Sequence, residues 1–99
     1  MYTMIERRGV NAASMDETVR RAQAEFFPKL QAAAGFIGFY LVSDEVNDVN
    51  TAIVVWESKA DAEAFDPTGA PWMQALEELG HAVQSENRGE TVIQLEPTK

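Results

Sequence analysis

Two stretches constrain this chain more than anything else in it: Phe36-Ile37-Gly38-Phe39-Tyr40-Leu41-Val42 and Ala52-Ile53-Val54-Val55-Trp56. Their aromatic and branched residues mark them as strands. Neither alternates apolar with polar, so both faces of the sheet they build must be shielded from water. The segment between them, Ser43 to Asn50, is polar and turn-rich, which makes the pair an antiparallel hairpin. A chain of 99 residues has room for one core and is read as one domain over 1–99.

The helical material is limited. Ser14, with Glu17 three residues later, has the form of a capping box. Val19, Ala22, Phe26, Leu30 and Ala33 then recur at spacings of three and four as a buried stripe. Pro28 interrupts this pattern and predicts a kink near Phe26-Phe27, and Gly35 supplies the stop. Ser58 caps a second helical segment. Asp66-Pro67-Thr68-Gly69-Ala70 is expected to break it, and Pro71 to restart it with a stripe of Trp72, Leu76 and Leu79, up to Gly80.

Residues 1–10 form a first strand with Met1, Thr3, Ile5 and Arg7 on one side and Tyr2, Met4, Glu6 and Arg8 on the other. Val83 and Val92-Ile93-Gln94-Leu95 supply the last strand, with Asn87-Arg88-Gly89 as a turn or bulge. The order of elements is the ferredoxin-like α+β pattern, with helices on one face of a four-stranded antiparallel sheet. The other face would expose an apolar patch larger than monomers usually tolerate, so a homodimer through the open sheet face is expected.

The formal net charge of −8 opposes phosphate backbones and anionic lipid, so neither nucleic acid nor membrane is expected as a partner. The basic residues near the N-terminus follow the short apolar stretch, where a secretory signal would have them before it. A cytoplasmic location is therefore expected. The chain has no cysteine, hence no disulfide, thiolate nucleophile or thiolate metal site. A single histidine without ligand-spaced neighbours predicts no metal site.

Ala34-Gly35-Phe36-Ile37-Gly38-Phe39-Tyr40 and Val55-Trp56-Glu57-Ser58-Lys59-Ala60-Asp61-Ala62 together resemble the antibiotic biosynthesis monooxygenase family of dimeric α/β barrels. The resemblance runs in order and length over nearly the whole chain, with these two motifs as its specific part. It implies two sheets closing a barrel in the dimer, a pocket between sheet and helices, and a small apolar or aromatic ligand. Oxygen insertion in the family's cofactor-independent branch calls for neither flavin nor haem, so no cofactor is expected.

The resemblance also carries departures. The haem-degrading branch has a first-strand Asn where this chain has Glu6 and Arg7, and a Trp and a His where it has Phe65 and Ala75. The polyketide-oxidising branch has an Asn four residues before the Trp and a Tyr six after it, positions held here by Ala52 and Ala62. Only Trp56 carries over.

Trp56 can stack on a flat substrate and donate its indole N–H to a carbonyl; the plainer reading is a core or interface tryptophan. His81 is the one side chain that titrates near neutrality and is the candidate general base, or else a surface histidine past a helix end. Phe65 and Trp72 flank the expected helix break, which would act as a mobile lid, or simply pack a stripe. Tyr40 could donate its hydroxyl to a ligand or partner, and Arg7 could hold an anionic group.

Overall fold

The computed structural model describes residues 1–98. Four antiparallel strands, β1 (Tyr2–Gly9), β2 (Phe36–Asp44), β3 (Val49–Trp56) and β4 (Val83–Glu90), form one sheet in the order β2-β3-β1-β4. The helices are α1 (Met15–Arg21), α2 (Phe27–Ala32) and α3 (Lys59–Glu78). This is the ferredoxin-like arrangement expected from the element order.

The ladders fix which side chains share a face. Tyr2, Met4, Glu6 and Arg8 of β1 stand opposite Trp56, Val54, Ala52 and Asn50 of β3, and this side packs on the helices. The other side carries Thr3, Ile5 and Arg7 opposite Val55, Ile53 and Thr51, with Tyr40 and Val42 of β2 continuing the rows. On that side Ile37, Tyr40 and Val42 are exposed at 47, 59 and 55%, the open apolar face anticipated above.

Pro28 acts as expected, through a specific device. Lacking an N–H for the carbonyl four residues back, it forces the preceding turn to widen into a π-helical turn over Ala22–Phe26, which separates α1 from α2. The widened turn drives Phe26 into the core, where it stacks on Trp72 with centroids 5.5 Å apart. The helical stretch ends at Ala32, before Gly35, because Ala33 is already extended; Gly35, at φ 77, completes the turn into β2, and a Cβ there would collide with the Asp61 side chain. Ser58 caps α3 by accepting from the Asp61 N–H at 3.1 Å.

Three expectations are corrected. Ser14 makes no cap bond; its hydroxyl turns to the Leu79 carbonyl at 2.6 Å and ties the start of α1 to the end of α3. The Asp66–Ala70 segment does not break the chain, because α3 is continuous through Pro67 and Pro71. Both prolines lie on the exposed side, where their orphaned carbonyls meet water. Ala62, Gly69, Trp72 and Ala75 are buried on the opposite side and hold the helix together. Gly69 serves close packing, since a Cβ would sit 3.0 Å from the Phe65 ring.

The last strand is also displaced. Val83–Glu90 pairs with β1 and includes Asn87-Arg88-Gly89, while residues 91–98 leave the sheet as an extended arm. The arm is tied at its root by the Thr91 N–H to the Met1 carbonyl, 2.9 Å, and beyond it Val92, Ile93 and Leu95 are 77 to 89% exposed. Among the described residues no helix is long and apolar enough to cross a membrane.

Candidate functional site

Between the sheet and the helices lies a cavity of about 540 Å³, within the range of small-molecule sites. Its walls are chiefly apolar. Phe26, Phe27, Phe39, Trp56, Phe65 and Trp72 supply its aromatic lining, and Arg8, Asn50, Glu77 and His81 bring polar groups.

Trp56 closes β3 and is 1% exposed, held between Phe36 at 5.8 Å and Phe65 at 5.2 Å. Its Nε1–H is buried without a hydrogen-bond partner among the described residues. A buried indole N–H normally finds an acceptor, and this one is left unsatisfied in a residue that lines the cavity. Phe65 and Trp72 do line the cavity, yet they stand on one unbroken helix, so the lid expected between them is absent.

His81 is not at the surface. It is 3% exposed, drawn inward because Gly80, at φ 90, turns the chain back under α3. Nδ1 accepts the Asn11 backbone N–H at 3.1 Å, so Nε2 carries the proton and faces Thr18 Oγ1 at 2.7 Å; that hydroxyl donates onward to the Ser14 carbonyl at 2.8 Å. Burial, and secondarily the Arg8 charge, push the imidazole pKa down, which favours this neutral form. The ring's one basic lone pair is therefore engaged, and a proton-accepting role requires the Asn11 bond to open.

Two candidates lie elsewhere. Arg7 and Tyr40 point to the open sheet face, both exposed, and neither lines the cavity. The reason is strand parity: helices cover the even positions of β1, so Arg8 rather than Arg7 faces inward. Arg8 is 7% exposed and is held by Glu6 through Nε at 2.6 Å and by Glu77 and the His81 carbonyl through Nη1 at 3.1 and 2.7 Å.

The sequence reading missed Arg8 and Asn50. Asn50 shares its side of β3 with Ala52, one pleat further from Trp56, and its Oδ1 is buried without a partner. Parity on β3, counted back from Trp56, could have found it. Among the described residues no group of His, Asp or Glu is placed to hold a metal ion.

No protein-family model matches the chain, and no curated protein matches its sequence. Solved structures do match. A candidate antibiotic biosynthesis monooxygenase from Deinococcus radiodurans is similar over 100% of both chains, at TM-score 0.74 and 14% identity. HapK from Hahella chejuensis is similar over 100% of both chains, at TM-score 0.76 and 18% identity. The monooxygenase from the gene ActVA-Orf6 of Streptomyces coelicolor, solved with the ligand nanaomycin D, is similar over 98% of this chain and 92% of its own, at TM-score 0.76 and 16% identity. With the sheet order, the helix placement and the cavity between them, this likeness shows that the chain has the fold of the antibiotic biosynthesis monooxygenase structures.

Proposed function

We propose that the chain is a cofactor-independent monooxygenase acting on a small aromatic or quinol-type compound held between sheet and helices. The observation that carries this reading is the buried, unpartnered Trp56 Nε1–H at the wall of an aromatic-lined cavity. A flat ring seated there stacks on aromatic faces while the indole polarises one of its carbonyls. The lining excludes water and fixes the ring's orientation. An activated methylene supplies all the electrons: one oxygen atom of O₂ becomes its carbonyl, and the other leaves as water with the two hydrogens. The ActVA-Orf6 protein, a monooxygenase solved with the ligand nanaomycin D, supports the same class.

One observation favours a second reading, a binding protein without turnover. His81 has its basic nitrogen engaged, and Ala52 and Ala62 offer the cavity no polar group.

The working unit in this proposal is a homodimer, in the cytoplasm, formed through the open sheet face. Ile37, Tyr40, Val42, Ile53 and Val55 supply an apolar surface that a second copy would cover. The extended arm adds Val92, Ile93 and Leu95, which are wasted on a monomer and gain burial by lying on the partner.

Anthrone, a tricyclic aryl ketone with an activated methylene, is the test compound, with oxygen uptake and tryptophan fluorescence as readouts. Uptake of one O₂ per ketone formed, slowed at least about tenfold in Trp56→Phe, is the expected result. Quenching without uptake assigns the cavity to binding alone. Neither signal overturns the assignment of the cavity as a small-molecule site.

A further inference from the structure

Arg8 and Asn50 are register partners on the two central strands, on the side that faces the helices, and both line the cavity. The Arg8 side chain is 9% exposed. Its Nε and Nη1 reach oxygen acceptors on Glu6, Glu77 and the His81 backbone, which ties β1 to α3 and accounts for that part of the guanidinium structurally. Nη2 is different. Its one recorded bond among the described residues is to the Met73 sulfur at 3.9 Å, a weak acceptor for a charged donor. Across the ladder, Asn50 Oδ1 is buried and accepts no hydrogen bond among the described residues.

An under-used donor and an unused acceptor thus belong to register partners that both line the cavity. Both are mounted on inner strands, paired on two sides, which fixes the backbone positions from which the two side chains reach the cavity. Charge narrows what could satisfy them. The cavity is lined by Glu6, Asp66, Glu77 and Glu86 against two guanidinium groups, Arg8 and Arg88, so its charged lining is negative on balance. A carboxylate or phosphate would meet a net negative wall. A neutral oxygen would not.

Resting on the reading of the cavity as a small-molecule site, we infer that Arg8 and Asn50 form its recognition pole. The pole takes a neutral ligand edge with a hydroxyl beside a carbonyl: the carbonyl accepts from Arg8 Nη2, which replaces the hydroxyl's internal bond to it, and the freed hydroxyl donates to Asn50 Oδ1. Six strand steps separate Asn50 from Trp56, about 20 Å along β3, so the pole stands at the end of the cavity opposite the indole. Phe26 and Phe39, between the two, receive its rings.

Three probes separate the elements of this inference: juglone, a naphthoquinone with a hydroxyl beside one carbonyl; unsubstituted naphthoquinone; and lawsone, an anion at neutral pH. The chain has no cysteine, so thiol addition does not complicate the titrations. Juglone is expected to bind roughly tenfold more tightly than naphthoquinone, and lawsone more weakly than juglone. Asn50→Leu should bring juglone down to the affinity of naphthoquinone while leaving naphthoquinone itself unchanged. Arg8→Lys, which keeps the charge and loses the fork, should weaken both quinones if its thermal unfolding matches wild type.

Equal binding of juglone and naphthoquinone, unaltered by Asn50→Leu, overturns the pole and leaves the cavity reading standing. Tightest binding by lawsone overturns the neutral-ligand assignment. Binding of none of the three overturns both.

Discussion

Replacing Ile53 with lysine tests the open sheet face where it matters most. Ile53 lies on β3 between Ile5 of β1 and Tyr40 of β2, at the centre of the uncovered side. Ile53 is already partly buried in the single chain, so association buries only its exposed remainder, about 0.5 to 1 kcal/mol per copy, and a two-fold interface contains two copies of it. Losing both costs about 1 to 2 kcal/mol before the charge is counted, and desolvating two unpaired ammonium groups adds several more, which is the larger part of the effect. At about 1.4 kcal/mol per factor of ten, the dimer dissociation constant should rise at least a thousandfold. Sedimentation velocity at low micromolar concentration should then show wild type as a dimer and Ile53→Lys as a monomer or aggregate. Val46→Lys, at a turn position 90% exposed, should remain dimeric. A well-behaved wild-type monomer, or an Ile53→Lys variant that stays dimeric, would refute the reasoning that this face is covered by a second copy.

Truncation after Thr91 removes Val92, Ile93 and Leu95, none of which contributes to the monomer's core. The truncated chain should keep its fold by circular dichroism and dissociate at higher concentration than wild type; unchanged dimer affinity would show that the arm does not lie on the partner. Buried neutral His81 predicts a pH dependence of stability. Its folded pKa lies below the ordinary imidazole value of about 6.5, so below that pH the unfolded state binds the proton and the folded state resists it. Urea midpoints should therefore hold above about pH 6.5 and fall as the pH drops below it, and His81→Gln should flatten that particular decline.

The sequence sufficed for features that depend on local geometry. Two strands apolar on both faces required cover on both sides. Pro28 had to disturb its helix because it cannot donate to the carbonyl four residues back, and Ser58 had to cap because its side chain reaches the Asp61 N–H. The order of elements then left one topology as the natural one. Packing decided the rest. Pro67 and Pro71 look like breakers in isolation, but burial of Ala62, Gly69, Trp72 and Ala75 along one side outweighs two lost backbone bonds. Val92 to Leu95 look like a strand by composition, while Val83–Glu90, polar and exposed, takes that place because it pairs with β1.

The site divides the same way. Alternation along β1 separates Arg7 from Arg8 in the sequence itself, yet which set faces the helices depends on how the sheet is covered. When neither face is plainly polar, period two cannot name the inner one. His81 was legible as a lone imidazole near a helix end, and only the turn at Gly80 carries it into the interior, where Asn11 and Thr18 take both ring nitrogens. Asn50 and Arg8 come together across a ladder between residues 42 apart in the chain, a proximity that follows from strand register, and register is a property of the folded sheet.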